Sequence, residues 1–200
     1  MERFFNTAGP VNRKKHYMLP LEARLDVNEI LMLIRQEKYF ILHAPRQTGK
    51  TTALLALMEL LNRSGEYRAL YVNVESAQAY REKISMAMES ITHEIVMKAD
   101  AYLHDPFPAQ IAGELIEKGS YNDAVKILLN RWAVQSPLPL VIFIDEIDAL
   151  VGDTLISVLR QLRAGYTSRP ENFPQSIVLC GVRDIRDYRI HSSSTKEIIT

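Results

Sequence analysis

Two hydrophobic patterns alternate along this chain. The first is a short, continuously apolar run. Tyr39-Phe40-Ile41-Leu42-His43-Ala44 stops at Pro45, and Arg68–Val74 carries Leu70, Val72 and Val74. Leu140-Val141-Ile142-Phe143-Ile144, introduced by Pro137 and Pro139, is the most hydrophobic run of all, and Ser176-Ile177-Val178-Leu179-Cys180-Gly181 is the fourth. Runs of this length and composition read as buried strands. The second pattern has helical spacing. Val27, Ile30, Leu31 and Ile34 mark a helix over about 27–37, capped by Asp26. Thr51–Asn62 is apolar nearly all round, so it is expected to be central, and Ser64-Gly65 ends it. Tyr80, Ile84, Met88, Ile91 and Ile95 predict a long helix over about 77–100. Further helices are expected at about 109–118 and 121–135, after the breakers Pro106 and Pro108. Another is expected at about 149–164, with Asp148 as its cap. Residues 1–25 look irregular, and the tail from Arg189 is polar.

Continuously apolar strands that alternate with helices imply a parallel sheet covered on both faces. The expected class is α/β, a three-layer sandwich with a central, mainly parallel sheet. The expected organisation is an N-terminal segment 1–25, a core over 26–190 and a polar tail over 191–200.

Composition narrows the setting. Lys+Arg and Asp+Glu number 24 each in 200 residues, so the formal net charge is zero and nothing pulls the whole chain towards nucleic acid or acidic membrane. A single cysteine, Cys180, allows no internal disulfide and suits a reducing cytoplasm. The N-terminus lacks the apolar run of a signal peptide, and no window approaches 18 uninterrupted apolar residues. The five histidines are scattered without metal-ligand spacing, so no zinc site is expected.

Chemistry concentrates at strand ends. Ala44-Pro45-Arg46-Gln47-Thr48-Gly49-Lys50-Thr51, followed by Thr52, fits the phosphate-loop pattern, with Ala44 in place of the first glycine. Such a loop wraps an anion with its backbone N–H groups. Gly49 permits close approach, Lys50 brings a cation to the β- and γ-phosphates, and Thr51 offers a hydroxyl to Mg²⁺. The following helix adds its positive end. Alanine at 44 requires ordinary backbone dihedrals there. About a hundred residues on, Val141–Ile144 runs into Asp145 and Glu146, two carboxylates at the C-terminal end of a buried strand, the edge where open α/β sheets bind ligands. Asp145 would hold Mg²⁺ and Glu146 would orient or activate the attacking water. The competing reading makes both acids solvated loop residues, or one of them a helix cap.

The fourth run ends Gly181-Val182-Arg183-Asp184, and Arg183 has the chemistry to sense a γ-phosphate and stabilise transition-state charge. An ordinary ion pair of Arg183 with Asp184 or Asp187 stands beside that reading. One of Arg160, Arg163 and Arg169 could act as an arginine finger for a neighbouring subunit, although a solvated helix face is the plainer reading. Cys180 reads as core, and His43 as a structural histidine.

Together the 44–51 loop, Ile144-Asp145-Glu146 and Gly181-Val182-Arg183 resemble the prokaryotic AAA-like P-loop ATPases, near the AAA+ and STAND groups. The stretch Phe5–Val11 through Tyr39–His43 is similar to the N-terminal part of the same family. The resemblance spans about residues 4–190. It implies a sheet in the order 5-1-4-3-2, ATP with Mg²⁺ as the bound species, and adenine contacts near Tyr17-Met18-Leu19-Pro20. It also implies a fifth strand and a helical lid. Because the sequence stops at Thr200, both are expected to be missing, together with any partner or homo-oligomer contacts carried there. The functional expectation is ATP hydrolysis that drives or gates a conformational change. The alternatives are a slow-turnover nucleotide switch, a small-molecule kinase on the same loop and a DNA-associated module.

Overall fold

The computed structural model describes residues 3–6, 9, 11–12, 14–119 and 121–182. Four strands, β1 (Phe40–His43), β2 (Arg68–Asn73), β3 (Leu140–Asp145) and β4 (Ser176–Gly181), form one sheet in the order β1-β4-β3-β2. Every pairing is parallel. The order is the 1-4-3-2 part of the expected arrangement. Among the described residues, six α-helices flank the sheet: α1 (Val27–Arg35), α2 (Lys50–Ser64), α3 (Ile84–Leu103), α4 (Phe107–Lys118), α5 (Ala124–Gln135) and α6 (Gly152–Gly165).

Alternation along the strands explains the three layers. Ala69, Tyr71, Val141, Phe143, Val178 and Cys180 pack with α1 and α2 on one face. The intervening Leu70, Val72, Leu140, Ile142, Ile144, Ile177 and Leu179 pack with α3, α4, α5 and α6 on the other. A strand buried on both faces has no polar positions to spare, hence the continuous apolar runs. The register brings His43 opposite Gly181, Ile144 opposite Leu179 and Asn73 opposite Asp145. The C-terminal strand ends are therefore level along one edge of the sheet.

Local capping follows the sequence at α1, where the Asp26 side chain accepts the Glu29 N–H. Gly65 ends α2 in the left-handed region at φ 72°. Elsewhere the structure corrects the pattern. The helix expected from residue 77 begins at Ile84, and residues 75–80 form a 3₁₀ turn. Ala77 and Tyr80 join the same core as α3, so their spacing mimics one continuous helix. Arg81 breaks it with φ 43°, and its carbonyl accepts the Thr154 hydroxyl of α6.

Asp148 does not cap the following helix. It lies in a 3₁₀ turn over Ile147–Ala149, and α6 starts only at Gly152, with Val151 at the cap position. Its side chain instead crosses to β4, where Oδ2 accepts the Val182 N–H at 3.3 Å. Arg169 is likewise no free surface cation. Its guanidinium lies over the rings of Tyr166 and Tyr39 and donates to the Glu37 carbonyl. Among the described residues, no helix is long and apolar enough to cross a membrane.

Candidate functional site

The loop between β1 and α2 is exposed over Pro45–Thr48 and turns inward at Gly49. Gln47 and Gly49 both have positive φ, 61° and 80°. Left-handed residues alternating with right-handed ones gather backbone amides into an anion-binding nest. Among the described residues, the N–H groups of residues 46–49 have no hydrogen-bond partner. Ala44 is not among the positive-φ residues, so its methyl group is tolerated as the sequence required. The Lys50 ammonium bends back over this loop and donates to the carbonyls of Ala44 at 2.8 Å and Pro45 at 3.1 Å.

Gly49 is needed on two counts. Its φ of 80° disfavours any L side chain, and a Cβ there would fall 2.3 Å from Nη2 of Arg24. That guanidinium reaches over from the N-terminal segment and donates to the Thr48 carbonyl at 2.8 Å. The Thr52 hydroxyl is turned away from the loop and accepts the Val11 N–H at 3.1 Å. Both contacts tie the N-terminal segment to the start of α2.

Across from the loop, the tip of β3 presents a buried carboxylate. Asp145 has no solvent exposure. Its Oδ2 accepts the Thr51 hydroxyl at 2.8 Å and the Tyr71 hydroxyl at 2.9 Å, and its Oδ1 accepts the Glu146 N–H at 3.0 Å. The strand ends at Glu146, which takes φ 57° and ψ 38° and turns the chain sharply away. A left-handed glutamate costs on the order of 1 kcal/mol or more, a strain that clusters at functional sites.

The electrostatics follow from burial. The half-buried Glu146 carboxyl is held above its usual range, first by desolvation and then by the negative charges of Asp145, Asp148 and Glu75; Lys50 pulls the other way. Burial, followed by Asp145, pushes both the Tyr71 phenol and the Cys180 thiol well above their ordinary values, so both stay protonated beside the carboxylate.

The structure thus brings Lys50, Thr51, Asp145 and Glu146 together at the C-terminal edge of the sheet. Arg183 lies outside the described residues. Arg160 and Arg163 are exposed on α6. His43 is exposed at the end of β1, and Cys180 is buried in β4. Tyr71 and Arg24 were not singled out by the sequence. The only hint for Tyr71 is a polar-tipped aromatic inside an aliphatic strand. Nothing local marks Arg24.

A hydroxyl and two carboxylates are oxygen donors of the kind a hard cation such as Mg²⁺ prefers. Among the described residues, no group of three His, Cys, Asp or Glu side chains converges to hold a metal by itself. A cation here would take most of its shell from phosphate and water, as Mg²⁺ does at phosphate sites. The residues fit that group. A cavity of about 610 Å³ lies elsewhere, between α3 and α4, while a pocket of about 70 Å³ under the loop touches Lys50.

The model of the AAA domain family matches residues 34–188. No curated protein matches the chain. Among solved structures, the fold is similar to a chain in Drosophila ORC bound to poly(dA/dT) DNA and Cdc6. The TM-score is 0.51 at 12% identity, covering 80% of this chain and 24% of that one. A chain of Drosophila ORC bound to GC-rich DNA and Cdc6 gives 0.50, at the same identity and coverages. This chain therefore spans about a quarter of the length of the chains it matches. The protein belongs to the AAA domain family, a P-loop family of nucleotide-binding ATPases, and its four-stranded parallel sheet is that of an α/β P-loop domain.

Proposed function

We propose that this chain binds ATP with Mg²⁺ between residues 44–52 and the tip of β3, and hydrolyses it to drive or gate a conformational change in an attached or partner module. The observation that carries the reading is the 2.8 Å contact between Thr51 and Asp145, residues 94 positions apart in the chain. It joins the phosphate loop to the acidic strand end in one site. The free amides of residues 46–49 and the Lys50 ammonium receive the triphosphate, and binding exchanges the Ala44 and Pro45 carbonyls for phosphate oxygens on Lys50. Thr51 and Asp145 hold the Mg²⁺, which when bound neutralises phosphate charge. Glu146 accepts a hydrogen bond from the attacking water, and its raised proton affinity suits a general base. The N-terminal segment, near Tyr17-Met18-Leu19-Pro20, is proposed to contact adenine; Met18 lines a hollow with Val11 and Thr52 beside α2. Arg183, two residues after the end of β4 in the sequence, is proposed to sense the γ-phosphate.

The Drosophila ORC structures hold DNA, but zero net charge and the absence of a groove-reading motif give no support for DNA binding by this segment. A slow-turnover switch is the second reading, favoured by the way Lys50 is satisfied by its own loop.

Nucleotide binding and steady-state turnover, measured for the chain and for Glu146→Gln, test the proposal. The expected result is unchanged ATP affinity in the variant, with turnover lower by on the order of 10²–10⁴-fold. Failure of the unmodified chain to bind ATP overturns the reading. Tight binding with turnover no faster than that of Glu146→Gln selects the switch.

A further inference from the structure

We propose that Tyr71, on the neighbouring strand β2, is a positioning residue that holds the Asp145 carboxylate in its metal-binding orientation. The inference rests on the reading of Asp145 as the carboxylate that holds the cation. Tyr71 is 5% exposed and projects to the α2 face of the sheet. Its strand runs parallel to β3, with Tyr71 opposite Phe143 and Asn73 opposite Asp145. The phenol therefore rises from two residues below the tip and reaches Oδ2 at 2.9 Å.

Three donors from three elements then hold one carboxylate: Tyr71 from β2, Thr51 from α2 and the Glu146 N–H from the turn after β3. They do different work. The Glu146 amide belongs to the adjoining peptide and restrains Oδ1 alone. Thr51 is itself to receive the cation on its hydroxyl oxygen, so it serves the cation as well as the carboxylate. Tyr71 is buried in the sheet and is not itself proposed as a ligand of the cation, so it is the reference for Oδ2. A carboxylate oxygen offers about two lone-pair directions, and Tyr71 and Thr51 together occupy those of Oδ2. Rotation of the carboxylate breaks both bonds.

Two effects of the phenol oppose each other. As a neutral donor it draws charge from the carboxylate, which weakens attraction for a cation. As a fixed support it removes the cost of orienting the ligand when the cation arrives. Partners that support metal ligands in this way are typically worth 10–100-fold in affinity, which exceeds the loss from partial charge withdrawal. Orientation therefore dominates.

The test is the Mg²⁺ dependence of ADP binding, read by titration of a fluorescent ADP analogue with and without chelator. Tyr71→Phe removes only the hydroxyl. It is expected to leave metal-free ADP binding unchanged and to raise the Mg²⁺ concentration for half-maximal enhancement by about tenfold. A purely structural role would lower the unfolding midpoint without moving the Mg²⁺ requirement, and that result, or a tighter Mg²⁺ requirement, overturns the proposal. Asp145→Asn separates the two readings. If it shifts the Mg²⁺ dependence and Tyr71→Phe does not, Tyr71 alone is dismissed. If neither shifts it, the metal-site reading of Asp145 fails. Should the phenylalanine variant not fold, Tyr71→Met removes the same donor with a side chain that adapts to the space, and the same two outcomes decide.

Discussion

The phosphate loop and the tip of β3 meet through the Thr51–Asp145 hydrogen bond, yet they are built in opposite ways. The loop is exposed, its amides at 46–49 are unbonded, and its one ammonium rests on the loop's own carbonyls. The tip is buried, and its Asp145 carboxylate is held by three donors before any ligand arrives. On the proposed reading, the contrast follows from what each binds. Backbone amides around a polyanion lose little by waiting in water, because each is solvated until the phosphate replaces the solvent. A buried carboxylate without donors would be costly at all times, so its partners must be part of the fold. On that reading, one half of the site is completed by ligand, and the other is set in advance.

This contrast can be broken by experiment. The largest effect is expected from Lys50→Ala. ATP affinity should fall by on the order of 100-fold, because a charge-assisted bond to phosphate is lost. Stability of the nucleotide-free protein should stay within about 1 kcal/mol in urea unfolding, since the ammonium only caps solvated carbonyls. A large loss of stability would show that the loop, too, is set in advance. Gly49→Ala should act on both properties. The φ of 80° disfavours a Cβ by about 1–2 kcal/mol, and Arg24 must leave its place, so ATP affinity should drop about tenfold and the urea midpoint should fall. An unchanged affinity would mean that the nest is not the anion site. The smallest effect is a redistribution of hydrogen exchange. In nucleotide-free protein the Glu146 amide, bonded to Asp145, should already be protected, while amides 46–49 should slow only when ATP is added. Equal protection of both before ATP is added would erase the distinction.

The flank remote from the site shows how structure can resemble function without serving it. Arg68 pairs with Asp105 at 2.9 Å, and the fully buried Trp132 donates its Nε1–H to the same carboxylate at 2.8 Å. This charge cluster joins β2, α5 and the turn before α4, where no phosphate loop or strand tip approaches. Its role is to satisfy a half-buried arginine at the N-terminal end of the sheet, opposite the site.

The sequence by itself determined the elements and the two motifs. Strands buried on both faces must be apolar throughout, a central helix must be apolar all round, and a phosphate-loop pattern needs glycine where a positive φ coincides with close approach, as at Gly49. These demands are local, so Lys50, Thr51, Asp145 and Glu146 could be read from neighbours within a few positions. Tertiary structure alone decided contacts made across long separations. Tyr71 meets Asp145 because β2 lies beside β3 in that register, Arg24 meets Thr48 because the N-terminal segment folds back, and Asp148 turns to Val182 because β4 lies beside β3. No periodicity records which strands are adjacent or where a long side chain ends. The start of α3 was hidden for the same reason, since a 3₁₀ turn packed on a shared core repeats the spacing of the helix it precedes.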